Sequence, residues 1–315
     1  MKVSVVTSVY NGERGLESTV ESVLAQTMRD FEFIIVDDGS TDDTPKILDR
    51  IAKCERRIRV IRQHNQGLTR ALSVGCRYAR GQYIARQDVG DRSLPERLEK
   101  QSRYLDQHSE VVAVGAGARK VGPRGEFLGQ SMRRLSPDQV TECFLTKGTS
   151  ISHTVAMYRR DVYEKVGGYR CSFRFAQDID LWYRMSSRGL IAELPDVLFE
   201  WGIDLDGISS SNNDRQEMLA DLARQSWERL NEGEDDGEVL KQAEEVSWAA
   251  NMVPSSVRRQ STLAGAEFFI GSQLYSLGDE RCRDYLKRAI RYRPLWLRPW
   301  AKLALSYLIK ARYES

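Results

Sequence analysis

Carboxylates and hydroxyls recur where apolar runs of this chain stop. Val3–Val9 carries Thr7 and Ser8 and breaks at Tyr10-Asn11-Gly12, Phe31–Val36 ends in Asp37-Asp38, and Gln82–Arg86 stops just before Asp88 and Asp91. Oxygen groups of this kind can accept from the N–H of a heterocycle, ligate a hard divalent cation, or take a proton as a general base. Each also has a structural use, because Asp, Ser and Thr cap helices, and Asp37, Asp38, Ser40 and Thr41 all precede a helical pattern. Asp178 and Asp180 open another helical stretch and have the same two readings. Trp182, between Leu181 and Tyr183, reads first as core. His153, after Ile151-Ser152 at a strand start, is a lone histidine of the kind that is more often structural.

The elements that must position these groups alternate. Strands at 3–9, 31–36, 57–62 and 82–86 are separated by helical patterns at 13–28, 42–53 and 68–80. Such alternation predicts an α/β fold with a mostly parallel, Rossmann-like sheet and helices on both faces. In sheets of this kind ligands gather at the carboxyl ends of the strands, where the polar clusters lie. Beyond Asp91 the pattern predicts a helix over 94–107 and strands over 111–116, 151–158 and 197–201. Short helices are expected over 160–166 and 178–188, and a Gly-rich hairpin or loop over 117–134. From about 213 the chain reads as helical, giving a 1–212 domain and a 213–315 helical region. Within that region 264–294 looks like one tetratricopeptide-type hairpin, with Leu277-Gly278-Asp279 in the turn and Pro294 at the end.

Composition narrows the classes. The chain has 47 Lys and Arg against 45 Asp and Glu, so no charge excess argues for nucleic acid as a partner. Hydrophobic residues are 41% of the chain, enough for a core without disulfides or structural metal. Five cysteines, at 54, 76, 143, 171 and 282, show no metal or redox spacing, which fits a reducing, cytoplasmic setting. No signal-peptide pattern opens the sequence and no apolar run reaches the ~20 residues of a spanning helix. Residues 280–315 hold ten Lys and Arg against three acids, interleaved with Tyr292, Trp296, Trp300 and Tyr307. That mixture suits either the inner face of a membrane or a solvated helical face.

The motifs are more specific than the composition. Val5–Glu13, Ile35–Asp42, Asn65–Leu72, Gly81–Asp88, Ser93–Leu98, Val166–Tyr169 and Gln177–Trp182 follow in the order that resembles the family 2 glycosyltransferases of GT-A fold, over roughly 1–212. The resemblance implies an inverting, non-processive transfer of a sugar from a nucleoside-diphosphate donor, UDP-linked by expectation, to a hydroxyl of a glycan or lipid-linked acceptor. Asp38 would take the base imide, Thr7, Tyr10 and Glu13 would flank base and ribose, and Arg70 would reach base or phosphate. Asp88 would face the diphosphate, Asp178 would be the general base, and His153 and Trp182 would lie on the acceptor side.

Two departures concern a cation. The family's Asp-x-Asp reads Asp88-Val89-Gly90-Asp91, and the Tyr-Arg-x-His that follows the last strand reads Trp201-Gly202-Ile203-Asp204. The expected oxygen ligands for Mg²⁺ or Mn²⁺ are therefore Asp91 and Asp204. The alternative reading is a weakened relative that binds nucleotide or glycan and acts as a scaffold through its helical tail. A sugar-nucleotidyltransferase is a poorer match, because Tyr10–Gly15 lacks that class's basic Gly-rich loop. A homo-oligomer is left open by the sequence.

Overall fold

The computed structural model describes residues 1–148, 151–203, 213–249 and 255–307. Contacts group the chain into two compact units. The first comprises Met1–Ala118, Ser131–Glu200 and Asp214–Trp248; the second comprises Arg119–Gln130, Trp201–Asn213 and Ala249–Ser315.

In the first unit, β1 (Val3–Val9), β2 (Phe31–Asp37), β3 (Ile58–Arg62) and β4 (Tyr83–Arg86) run parallel in the order β3-β2-β1-β4. They are joined by α1 (Leu16–Leu24), α2 (Thr44–Cys54) and α3 (Leu68–Arg77). Alternate residues of these strands feed opposite cores, as the two-residue period of a strand requires. Val6, Ile34, Val36 and Ile84 pack on one side, and Val5, Phe33, Ile35 and Ala85 on the other.

Past β4 the pairing turns antiparallel. After β5 (Arg92–Ser93), α4 (Arg97–Gln107), β6 (Val111–Val121), β7 (Phe127–Ser131) and α5 (Pro137–Lys147) come β8 (Met157–Arg159), α6 (Arg160–Lys165), α7 (Gln177–Ser186) and β9 (Leu190–Gly202). The sheet continues β4-β8-β6-β9-β5, with β8 antiparallel to both β4 and β6. The strand expected over 151–158 is a single 3₁₀ turn at His153–Val155 followed by the short β8. The 117–134 segment is a hairpin, since β6 runs on to Val121 and pairs with β7.

The helical region expected from 213 divides. Helices α8 (Asn213–Asn231) and α9 (Gly237–Trp248) belong to the first unit, where Leu219, Leu222, Val239 and Ala243 join its core. In the second unit α10 (Ser255–Ser276) and α11 (Cys282–Tyr292) form the hairpin expected near 264–294, followed by α12 (Leu297–Ser306). Ile270, Leu274, Cys282 and Tyr285 are its core, with Leu128, and the Tyr285 hydroxyl donates to Glu126 Oε1 at 2.5 Å.

Candidate active site

The loops at the carboxyl ends of β1 and β2 are laced together. Asn11, at φ 53°, accepts from Thr41 N–H at 2.8 Å, Gly12 N–H donates to Thr44 Oγ1 at 2.9 Å, and Glu13 N–H donates to Asp42 at 3.2 Å. The Glu13 carboxylate accepts from Asp43 N–H at 3.1 Å, while Tyr10 stays exposed. Asp38 does not cap α2. Its buried carboxylate accepts from Gln63 Nε2 at 2.7 Å, Gln66 N–H at 2.9 Å and Gly67 N–H at 2.8 Å. Asp38 thus fixes the turn that starts α3, and three of its roughly four lone-pair sites are used. Gly39 lets the chain turn there: at φ +78°, a Cβ would lie 2.7 Å from Asn65 N.

Thr7 faces inward, fully buried, and its hydroxyl donates to the Gln87 carbonyl at 2.8 Å, so its side chain supports the site floor and does not flank a base. Arg70 is exposed on α3. A second cation near this end was missed by sequence reasoning. The Arg174 guanidinium stacks 4.6 Å over Trp248 and lies beside Gly67, where an added Cβ would be 3.6 Å from Nε. Nothing in the segment before α7 distinguished it from a surface arginine.

The turn after β4 stands on a buried polar truss. Gln87 Oε1 accepts from Ser93 Oγ at 2.7 Å and Arg97 Nη1 at 3.0 Å, and its Nε2 donates to the carbonyls of Asp88 and Asp91 at 3.1 Å. Arg97 also donates to the Arg86 carbonyl at 2.6 Å. Burial, and then the charge of Arg86, brings Arg97 down to about 9. Thr19 Oγ1 clips the turn, donating to Asp91 O at 2.9 Å and accepting from Gly90 N–H at 3.0 Å.

Asp91, expected as a metal ligand, is held inward. It is buried and accepts from Thr154 Oγ1 at 2.7 Å. Asp204 lies outside the described residues. Gly90 supplies no carboxylate, and Asp88 is engaged by an arginine, so among the described residues no group of acids or histidines builds a cation site. The described residues by themselves do not form a preformed Mg²⁺ or Mn²⁺ site.

That arginine is Arg86, fully buried at the end of β4. Its Nη1 donates to Val6 O at 2.5 Å, its Nη2 to Asp88 Oδ1 at 2.5 Å, and its Nε to His153 Nε2 at 3.2 Å. His153 Nε2 also meets the Tyr169 hydroxyl at 2.7 Å. Burial first, then Arg86, holds His153 well below its usual range, so it is the neutral acceptor at the back of the site. A charged residue inside an otherwise apolar strand was the signal that could have revealed Arg86.

Asp178 opens α7 beside this pair. Burial pushes its carboxyl above the usual range; its own N–H and that of Ile179 pull back, the Asp88 charge pushes up, and the Arg86 charge pulls down. Asp180 does the anchoring. It is fully buried and paired with both Arg170 and Arg184, and Arg184 ties α7 to the Val166 and Gly168 carbonyls at 2.5 and 2.8 Å. The two acids of Gln-Asp-Ile-Asp are thereby separated: one fixes the helix and the other stays available. Trp182 offers no face to an acceptor. It is fully buried, edge-on to Tyr158 at 5.8 Å and His153 at 6.2 Å.

The sequence profile of glycosyl transferase family 2 matches residues 4–167, which run from β1 through α6 and stop short of Tyr169, Arg174 and α7. The chain belongs to glycosyl transferase family 2. The enzyme is 37% identical over 195 residues to EpsE of Bacillus subtilis, assigned as a glycosyltransferase, covering 60% of this chain and 68% of that one. It is 32% identical over 203 residues to AmsE of Erwinia amylovora, an amylovoran biosynthesis glycosyltransferase, covering 62% and 74%. Among solved structures, Staphylococcus aureus TarS 1–349 in complex with UDP-GlcNAc superposes with TM-score 0.58 at 18% identity, over 100% of this chain and 92% of that one. That likeness shows the GT-A fold and a helical C-terminal region. No described helix of this glycosyltransferase is long and apolar enough to cross a membrane.

Proposed function

We propose that this glycosyltransferase moves a hexosyl group from a UDP-sugar to a hydroxyl of a glycan or lipid-linked acceptor, with inversion, in the building of a polysaccharide or cell-surface glycan. The observation that carries the reading is the grouping of Asp178, Asp88 and the buried Arg86 at the sheet's carboxyl edge. Asp38 and the turn it fixes would receive the base, with Tyr10 at its side and Arg70 and Arg174 as the cations of that end. Asp178 would take the proton of the acceptor hydroxyl while its oxygen bonds to the anomeric carbon. On the opposite face the bond from that carbon to the donor phosphate breaks, and UDP leaves with the electron pair. A raised carboxyl suits this task, since a base works best with its pKa nearer the working pH. The names of AmsE and of the O-antigen biosynthesis enzyme WbnJ of Escherichia coli support the product class, and the TarS complexes with UDP and UDP-GlcNAc support the donor.

The test is a thermal-shift panel of nucleotide-sugars with and without Mn²⁺, followed by transfer assays on Asp178→Asn. Donor binding to the native state raises its stability by mass action. Asp178→Asn should lower kcat by about 10²–10⁴-fold, the usual share of a general base, with UDP affinity unchanged. The second reading, a nucleotide-binding scaffold, draws on Gly90 and the inward Asp91. UDP binding with no turnover from any donor would favour it.

A further inference from the structure

The last described helix is inside out. In α12 the buried positions are Pro299 and Ser306, whereas Leu297, Trp300, Ala304 and Leu305 are exposed. At 100° per residue these four fall on one side of the helix, opposite Pro299 and Ser306. Leu295, just before the helix, is 94% exposed and Leu297 76%, and Tyr307 just after it is also exposed. Isolated exposed leucines need no account, but a helix that turns its apolar stripe to solvent and its proline and serine inward does. The neighbouring aromatics show that this is not loose packing. Trp296 packs against Phe268 with ring centroids 4.6 Å apart and planes tilted by 57°, and Lys302 sits 5.3 Å over Tyr275, so the inner side of the segment is anchored.

The charge around the stripe identifies its occupant. Residues 280–307 hold eight Lys and Arg against two acids. Four of the eight, Lys287, Arg291, Arg293 and Arg298, are exposed and have no carboxylate partner among the described residues. A second copy of this chain would bring the same positive surface against itself. An anionic bilayer instead complements it, the leucines and Trp300 entering the head-group boundary and the arginines meeting lipid phosphates. We propose that the outward face of α12, with Leu295, docks this protein on an anionic membrane surface. Such docking is peripheral and reversible, and it does not depend on the transfer reaction or its donor.

Flotation of the purified full chain with vesicles tests this. Vesicles of equal phosphatidylglycerol and phosphatidylcholine should carry the wild type, and pure phosphatidylcholine vesicles should carry at least tenfold less. The double variant Leu295→Asp, Leu297→Asp and the double variant Arg291→Glu, Arg298→Glu should each lose at least tenfold of the bound fraction at unchanged melting temperature, since all four side chains are exposed. Equal binding by the charge-reversed variant, or no flotation of the wild type, overturns the proposal. So does a wild-type dimer in sedimentation that the aspartate variant converts to monomer without any vesicle binding.

Discussion

Arg86 is the residue whose replacement separates charge from packing at the centre of the site. Arg86→Met removes a fully buried guanidinium but keeps an unbranched side chain. Each of its four acceptors retains a partner: Val6 O keeps the Gln87 N–H at 3.2 Å, Gln87 O keeps the Thr7 hydroxyl at 2.8 Å, His153 Nε2 keeps the Tyr169 hydroxyl at 2.7 Å, and Asp88, 41% exposed, turns to water. The cost should therefore fall near 2 kcal/mol, below the ~3–5 kcal/mol of an ion left buried alone. At ~2–4 °C per kcal/mol for a domain of this size, the melting temperature should drop by roughly 4–8 °C. The charge effect is distinct. The Arg86 charge favours ionised Asp178, so its loss raises the Asp178 pKa further, and less base is present at a given pH. The acid limb of kcat/KM, which reports the free enzyme's base, should move to higher pH in Arg86→Met. Arg86→Lys keeps a positive charge with fewer donors, so its limb should stay near the wild type although its melting temperature also falls. Scanning calorimetry and pH–rate profiles of the three proteins decide it. Coincident acid limbs for Met and Lys, or a shift to lower pH for Met, would refute the assignment of Asp178 as the base under Arg86 control.

Other perturbations follow from the same geometry. Asp38→Ala frees three donors at 2.7–2.9 Å and should weaken UDP binding by more than about tenfold, read by calorimetric titration, because the 63–67 turn is no longer held. Trp182→Ala should destabilise the fold by ~3–5 kcal/mol in chemical denaturation, whereas Trp182→Phe should leave the acceptor KM unchanged, as befits a core residue. Gly90→Asp has room for its Cβ but sits at φ +96°, so it should cost ~1–3 kcal/mol of strain while adding a second acid beside Asp88. Its UDP affinity should respond to Mn²⁺ more steeply than that of the wild type.

The parallel half of the sheet was legible because β1, β2 and β4 are buried runs bounded by turn residues, and local sequence decides such elements. The hairpin over 117–134 was legible from its glycines, but the extension of β6 to Val121 and the start of β9 at Leu190 were not, because their pairing is set across long separations. Helix α5 went unread although Ser136-Pro137-Asp138-Gln139 spells its start, and Ser136 and Gln139 do form a capping box. In the site, type and position were visible for Asp38, Asp88 and Asp178. Direction was not: Thr7, Asp91 and Trp182 have the same residue types as ligand-facing groups, and only packing shows that they turn inward. The Arg86–His153–Tyr169 chain joins residues 67 and 16 positions apart, a proximity no local pattern encodes.

The truss under the turn after β4 explains how a glycine can stand where a relative would have an acid. Gln87, Thr19, Ser93 and Arg97 hold that turn through its backbone carbonyls and N–H groups and through one another. None of these bonds uses a side chain at position 90. The bonds that hold the turn, and Asp88 against Arg86, are therefore the same with or without a side chain at position 90, although any other residue there meets the strain of φ +96°. An acid can be absent there without disturbing the Asp38 end or the Asp178 end, which rest on separate hydrogen-bond sets. On the proposed reading, cation dependence and donor binding are thus separable. Wild type and Gly90→Asp, compared for UDP affinity in the absence of metal, should agree within about threefold, a difference under 1 kcal/mol, and diverge only when Mn²⁺ is added.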